Sequence, residues 1–411
     1  MKTVLHMTNV FCALTVVECI PELQLLQVVF AHKTYAPILD LISSNVTDSP
    51  TSLTYEHFIN APRSMPNAGM LNMYNLGAHL REVYNEFLGG IYMEKTMKMQ
   101  TADYPLSMMS GQLVNAGLWP PTEIQKWNND INWQPIPTDY VSMCKDTLLL
   151  GMYCPSFASE TMKVLNMDQV RATIKDHSTL FEALSRYTGM EISQPSQVAL
   201  LYAVLETQAD LNQTLPYWAS DVFPHGEMYN VSLLEYDLLS QTLLQKQLNG
   251  GTILKEILTN SLSYISGKIS KKRKLMMYSG NERNIIGVLK SLDLWSPHIP
   301  NEAASIIFEM YFDNETETYG MKINYYTGVE GETIPLKLNN CTKICPMKIF
   351  LDSIFDLLPQ NEHTLCHWKK IEFADQHNFV IIDSAMYSST TSYKLKSIMI
   401  SLLLIVTLFI F

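Results

Sequence analysis

Short apolar runs, each bounded by polar or turn-forming residues, alternate along the chain with longer stretches of helical periodicity. The runs have the length and the β-branched and aromatic content that are typical of strands. They lie at residues 23–30, 274–278, 306–312 and 322–326. Because strands and helices alternate, the pattern predicts an α/β fold in which helices cover both faces of the sheet.

Two of the intervening stretches have the spacing of amphipathic helices. Residues 69–84 place Met73, Leu76 and Leu80 along one side, and residues 284–292 follow directly on a predicted strand. A strand that leads straight into a helix is the repeating unit of an α/β core. Both helices are therefore expected to cover the sheet.

The middle of the chain differs from the two flanking parts. Residues 156–249 show helical periodicity and few strand-like runs, with a proline-containing interruption at 215–218. We therefore predict a helical cap inserted into the α/β core, with Gly250 and Gly251 marking the return to the core. The predicted organisation is core residues 21–155, cap residues 156–249 and core residues 250–375.

The two ends have the features of exported, lipid-anchored proteins. Residues 1–20 combine Lys2 with an apolar stretch and predict a secretory signal peptide; a buried strand or helix is the alternative. Residues 376–411 contain small residues, a polar spacer and an apolar run. This layout predicts a GPI-attachment signal, with a short tail anchor or a buried terminal helix as alternatives.

Potential glycosylation sites agree with an exported protein. Asn-x-Ser/Thr sequons occur at Asn45, Asn212, Asn230, Asn314 and Asn340. Together with the leader they predict a glycoprotein of the secretory pathway, located outside the cell or attached to its surface through the C-terminal anchor. Homodimer formation is also compatible with the sequence.

Composition and charge restrict the class of partner. With 47% hydrophobic residues in 411, the chain can bury one large core or two domains. The formal charge of −11 and the lack of a clustered basic face argue against nucleic acid as a partner. The single basic run, at 271–274, precedes a predicted strand, so a solvated strand entrance is favoured over a nuclear signal.

The cysteines favour disulfide bonds over a metal site. Cys341 and Cys345 have the close spacing of a local loop staple, which an oxidising compartment permits. His363 and His367 have only Cys366 near them in sequence, so we expect no zinc site there. We also expect no cofactor.

The segment LLQVVFAHKTYAP at residues 25–37 delivers a histidine from an apolar strand into a loop. It resembles the R-H-G-x-R-x-P signature of histidine acid phosphatases, in which the histidine is the nucleophile between two phosphate-binding arginines. His32 and Pro37 match the signature, whereas Ala31, Lys33 and Tyr35 occupy the Arg, Gly and Arg positions.

Further segments resemble landmarks of the same family in the right order, and within the family the chain resembles secreted insect and venom acid phosphatases. They are the glycines and the REVY sequence within 69–84, LWPP at 118–121, WQPIP at 133–137, LPYW at 215–218 and the 250–251 glycine pair. The resemblance implies the histidine phosphatase fold, a mixed sheet flanked by helices with an inserted helical cap. It also implies disulfides that join Cys154 to Cys366 and Cys341 to Cys345, which leaves Cys144 as a free thiol.

The remaining chemistry of the family is poorly matched. A third arginine belongs to an R-S-T-D-x-D-R-T-like segment, where this chain has Gln100 and Leu106, and the family's His-Asp pair is replaced by Asn281 and Glu282. Among the catalytic and phosphate-binding positions, only the nucleophile, His32, is identical, and Glu282 keeps the carboxylate of the family's acid.

Such replacements predict a pseudophosphatase that works by binding. It would bind a ligand in the cap cleft, a partner at the cell surface, or phosphate or another small anion. The alternative is an active acid phosphatase with a rewired pocket. In that enzyme, His32 would be the nucleophile, Glu282 the acid, and Lys33 with Arg283 the phosphate ligands. In the non-catalytic interpretations, His32 is a hydrogen-bonded loop residue, and Glu282 is a surface carboxylate paired with Arg283 or Lys33.

Overall fold

The computed structural model describes residues 21–33, 65–328, 331–339 and 341–367. Its centre is one mixed sheet of eight strands in the order β3-β2-β4-β1-β5-β6-β7, with β8 pairing β6. The strands are β1 Glu22–His32, β2 Met97–Thr101, β3 Asp139–Tyr140, β4 Leu275–Asn281, β5 Ser305–Asp313, β6 Thr318–Tyr326, β7 Thr333–Leu336 and β8 Cys345–Pro346. β1 pairs with β4 in parallel and with β5 antiparallel, so the longest strand lies inside the sheet.

Helices cover this sheet and form the cap. They are α1 Asn67–Val83, α2 Asn85–Leu88, α3 Pro105–Leu118, α4 Pro155–Leu165, α5 Asp168–Asp176, α6 Ser178–Thr188, α7 Pro195–Asp210, α8 Glu227–Leu238, α9 Leu243–Lys246, α10 Thr252–Ile265, α11 Glu282–Ser291, α12 Met347–Ile354 and α13 Glu362–Cys366.

β1 shows why both faces of the sheet are covered. Alternate side chains of a strand point to opposite faces. Leu25 and Val29 belong to the hydrophobic cluster beneath α10 and α11, whereas Leu26 and Val28 belong to the cluster beneath α1 and α3. This apolar strand therefore contributes to two cores, as predicted for an α/β fold.

The sequence prediction of the core is confirmed, with small shifts in the ends of elements. All four predicted strands are present, as are the two predicted amphipathic helices. β2 was not predicted from the pattern, because its segment MKMQT mixes polar and apolar residues although four of its five side chains are buried.

Gly250 and Gly251, which are predicted to mark the return to the core, lie within a continuous helical stretch. The chain runs through them as a π-helical segment, Gln247–Gly251, between α9 and α10. A Cβ on Gly250 would overlap the carbonyl oxygen of Gly287, and one on Gly251 would overlap that of Leu357. The two glycines therefore permit close packing of this helix against its neighbours.

Between α3 and the π-helical segment, the described chain is mainly helical. α6, α7 and α8 form a hydrophobic cluster of their own, separate from the two clusters at the sheet. A 3₁₀ turn at Tyr217–Asp221 follows the proline of the predicted interruption. The boundaries 156–249 of the cap stay a prediction.

Both implied disulfides are present, Cys154–Cys366 and Cys341–Cys345, and Cys144 is an exposed free thiol. The disulfide of Cys366 also removes it as a metal ligand beside the two nearby histidines.

The sequons at Asn212, Asn230 and Asn314 are exposed, whereas Asn45 and Asn340 lie outside the described residues. The predicted leader and anchor also lie outside them. Within the described ranges, no helix combines the length and hydrophobicity required to cross a bilayer.

Candidate active site

Three parallel strands bring the candidate residues to one edge of the sheet. In the pairing of β1 with β4, His32 lies opposite Asn281, the last residue of β4. β2 pairs with the other side of β4 and ends at Thr101, three residues before Tyr104. The crevice at the carboxyl ends of parallel strands is a common place for a binding site in α/β proteins.

His32 is held in one tautomer by its backbone neighbour. Its Nδ1 lies 2.9 Å from the carbonyl oxygen of Lys33, and a carbonyl can only accept a hydrogen bond. Nδ1 therefore carries a proton, and in the neutral ring the lone pair is on Nε2. Burial lowers the pKa of His32, against smaller opposing effects of this carbonyl and of Glu282, and so favours the neutral ring.

The lone pair of His32 accepts a hydrogen bond from Tyr104. The phenol oxygen is 2.9 Å from Nε2, and the two rings meet edge to face. The Asn281 side chain also acts on the phenol and lowers its pKa, against the larger effect of burial. Oδ1 of Asn281 accepts hydrogen bonds from the backbone N–H groups of Arg283 and Asn284.

These bonds form a directed chain across the strand ends. Tyr104 donates to His32, and His32 donates to the carbonyl of Lys33. Burial raises the pKa of Tyr104, which keeps the phenol protonated as a donor. The nucleophilic atom implied by the resemblance is thus covered by a neutral phenol.

Glu282 is the first residue of α11 and is 5% exposed. Its charge acts on both His32 and Tyr104, so the three groups share one electrostatic neighbourhood. Asn281, in the position of the family's histidine, caps α11 with its side chain. The residue that replaces the family histidine therefore has a structural role as well as contact with Tyr104.

Lys33 is bound by two carboxylates of the cap. Its Nζ is 3.2 Å from Glu206 Oε1 and 2.5 Å from Asp210 Oδ2, one turn apart on α7. Burial lowers the pKa of Lys33, but the two carboxylates outweigh this and raise it above its ordinary value. The cation beside the histidine thus has two anionic partners within the protein.

Arg283 is also engaged by the cap, on a different helix. Its Nη1 lies 3.8 Å from Glu235 Oε1 of α8, and both side chains are buried. The guanidinium also lies 5.8 Å from the ring centroid of Tyr236. Burial lowers the pKa of Arg283, whereas Glu235 raises it, with a net increase. The two predicted phosphate ligands therefore each have a carboxylate partner.

The replaced arginine positions contribute no cation among the described residues. Ala31 is fully buried in the core, Leu106 packs against both hydrophobic clusters, and Gln100 is a buried residue of β2. Tyr35 and Pro37 lie outside the described residues.

Sequence reasoning assigned no role to Tyr104, Glu206, Asp210 or Glu235. Tyr104 lies inside the segment that corresponds to the third-arginine motif, between Gln100 and Leu106, but its contact with His32 spans 72 positions. Glu206 and Asp210 are four residues apart, which places two carboxylates on one face of a helix. That spacing predicts an acidic face and not its partner, since Lys33 is 177 positions from Asp210.

The chain matches the model of a known protein family. The model of the histidine phosphatase superfamily (branch 2) matches residues 52–326. The chain belongs to that superfamily. The matched span covers α1, the cap and most of the sheet, and it begins after His32.

Relatives within the superfamily are acid phosphatases. The chain is 34% identical over 345 residues to the venom acid phosphatase Acph-1 of Apis mellifera, covering 84% of this chain and 88% of that protein. It is 27% identical over 350 residues to the prostatic acid phosphatase of Rattus norvegicus, covering 84% and 89%. The resemblance to histidine acid phosphatases is therefore confirmed.

Solved structures confirm the fold. The phytase of Klebsiella sp ASR1 superposes with a TM-score of 0.63 at 12% identity, covering 83% of this chain and 97% of that one. The Hafnia alvei phytase in complex with tartrate gives 0.62 at 13% identity, covering 84% and 98%. The mixed sheet with flanking helices is thus a histidine phosphatase fold.

Proposed function

We propose that this protein is a histidine acid phosphatase homologue with impaired phosphoryl transfer, which acts by binding outside the cell or at its surface. The carrying observation is the hydrogen bond from Tyr104 to Nε2 of His32. A phosphohistidine can form only on a nitrogen with a free lone pair, so the phenol must leave before any attack on phosphorus.

The charge balance supports the same proposal. Phosphoryl transfer depends on donors that stabilise the charge on the equatorial oxygens, and loss of one such donor costs about 3 kcal/mol. Lys33 and Arg283 are bound to Glu206, Asp210 and Glu235, so a phosphate would compete with internal carboxylates. We therefore expect weak phosphate binding and little turnover.

Hydrolysis of p-nitrophenyl phosphate by purified protein between pH 4 and 7 tests this proposal. The expected rate equals that of the His32→Ala variant, prepared in the same way to control for contaminating phosphatases. Turnover that is lost in His32→Ala would show that the pocket is active.

The active-enzyme alternative is favoured by one observation. The Nδ1 hydrogen bond to the Lys33 carbonyl leaves Nε2 as the nucleophilic nitrogen, as covalent catalysis requires. In that reading Glu282 is the acid, and Lys33 with Arg283 bind phosphate. Acid-labile, base-stable 32P incorporation that disappears in His32→Ala would support the enzyme, and no incorporation from several esters would support the impaired form.

Export and anchoring form the second part of the proposal. The leader, the sequons and the similarity to a venom protein support export. Release of the protein from expressing cells by phosphatidylinositol-specific phospholipase C is expected for a GPI anchor. Retention on treated cells would instead favour a short tail anchor.

A further inference from the structure

The cap contains a large cavity that shares Arg283, but no other predicted site residue, with the His32 pocket. Its volume is about 940 Å³, near the upper end of the range for small-molecule sites. Its walls come from α4, α5 and α6, and the lining residues do not include His32 or Lys33. The apolar part of the wall includes Phe157, Met162, Leu165, Ile174, Phe181 and Ile192.

The polar residues of the cavity are separated by depth. Glu235 and Arg283 are buried and paired with each other. Arg171, Lys175 and Arg186 line the cavity and are exposed. The cavity is therefore apolar in its walls, with a neutralised ion pair inside and cations toward solvent.

The positive charges at the opening of the cavity are only partly neutralised by carboxylates. Arg171 is paired with Asp168 at 2.6 Å. Across the described ranges, neither Lys175 nor Arg186 has a carboxylate within ion-pair distance, and Glu182 is the acidic residue that lines this exposed part. In a chain of formal charge −11, a cationic opening is a local departure that favours a ligand with a negative group.

We propose that this cavity binds a single-chain anionic amphiphile, with its apolar tail against α4 and α6 and its head group at Lys175 and Arg186. Burial of the tail provides the affinity, and the cations select the charge of the head. This site is independent of turnover at His32. The head could be a carboxylate or a phosphate, since both present anionic oxygens to the two cations.

Displacement of a fluorescent fatty acid from the delipidated, full-length exported protein tests the proposal. Oleate is expected to compete with a dissociation constant of about 40 µM, from the binding efficiency per atom that is typical of ligands of its size. Lysophosphatidate in a parallel titration distinguishes a phosphate head from a carboxylate. Methyl oleate, which lacks the charge, should compete at least about tenfold less well than oleate.

Two matched variants locate the site. Ala158 lines the cavity, whereas Ser159 is exposed on the same helix and does not line it. Ala158→Trp should weaken oleate binding at least about tenfold by filling the cavity, and Ser159→Trp should leave it unchanged. Thermal unfolding checks that both fold. If Ala158→Trp does not fold, Ala158→Leu provides a smaller obstruction with the same expected direction.

The charge of the opening is tested separately. The double variant Lys175→Glu/Arg186→Glu should weaken oleate binding about tenfold and leave methyl oleate binding unaffected. The control is Lys268→Glu/Lys272→Glu, at two exposed positions that do not line the cavity. It should change the binding of neither ligand. Equal binding by the Ala158 and Ser159 variants, or equal competition by oleate and its methyl ester, would overturn the proposal. None of these readouts depends on phosphatase activity.

Discussion

The Tyr104 phenol is one of two features that bear on the proposed loss of activity at His32. The Nδ1 bond to a carbonyl prepares Nε2 for nucleophilic attack, and the Tyr104 hydroxyl then occupies that nitrogen. The stabilisation from one such hydrogen bond is about 1 kcal/mol, so the cover can be displaced by a ligand that binds better. The loss of cations matters more, because no movement of Tyr104 restores them.

Removal of the phenol hydroxyl should raise the pKa of His32. In Tyr104→Phe the neutral ring loses the donor to Nε2, so protonation becomes easier. Titration of the imidazole by NMR on 15N-histidine-labelled protein measures this, with His32→Gln assigning the signal. Tyr74→Phe, at a half-exposed position on α1, is the control. An unchanged pKa in Tyr104→Phe would contradict the assigned donor.

Asp146 should contribute a distinct pH dependence to stability. Burial raises its pKa to about 6, although it accepts hydrogen bonds from the backbone N–H groups of Leu148 and Leu149. A raised carboxyl pKa means that the folded state binds the proton more tightly. The stabilisation of the folded state by this proton is therefore complete below the unfolded pKa near 3.8. It is lost as the pH rises through the folded pKa of about 6.

Asp146→Asn tests this sign, because asparagine keeps the accepting oxygen but does not titrate. The variant should gain stability relative to the natural protein between pH 4 and 7, by up to about 3 kcal/mol. Urea denaturation at several pH values measures the difference. A difference that stays constant with pH would show that Asp146 does not titrate in this range.

The fold could be predicted from the sequence because its signals are local. β1 is mostly apolar, and α1 repeats apolar residues on one face, so each element can be identified alone. The candidate site was only half predictable. His32 and Glu282 lie in recognisable segments, but the partners of Lys33 and Arg283 belong to cap helices far away in sequence.

At the level of elements, α1 and α3 pack closely through two glycines. A Cβ on Gly117 would overlap the carbonyl oxygen of Tyr74, and a Cβ on Gly77 would overlap that of Val114. The two helices cover one face of the sheet, and Tyr104 directly precedes α3. Their separation is therefore fixed by backbone contact.

Gly117→Ala should force α1 and α3 apart and destabilise the protein by about 3 kcal/mol, since the overlapping atom is backbone and cannot rotate away. Gly90→Ala is the matched control, because nothing lies within 4 Å of a Cβ there. It should change the free energy of unfolding by less than about 0.5 kcal/mol. Similar effects of the two substitutions would contradict close helix packing at Gly117.

For the whole molecule, the Cys154–Cys366 disulfide is a long-range covalent link that reaches the last described helix. Cys154 directly precedes α4 and Cys366 ends α13, so the bond joins the start of the cap helices to the last described helix. It closes 212 positions, whereas Cys341–Cys345 closes only 4. A longer closed loop removes more conformational freedom from the unfolded chain.

Replacement of each pair by alanine should therefore have unequal effects. All four sulfurs belong to buried residues, so the packing losses are similar and loop length is the main difference. The chain-entropy relation gives about 5 kcal/mol for the long loop and about 2 kcal/mol for the short one. Denaturant unfolding of Cys154→Ala/Cys366→Ala and Cys341→Ala/Cys345→Ala measures both. Equal losses would mean that local packing, and not loop closure, dominates the stabilisation by the long-range bond.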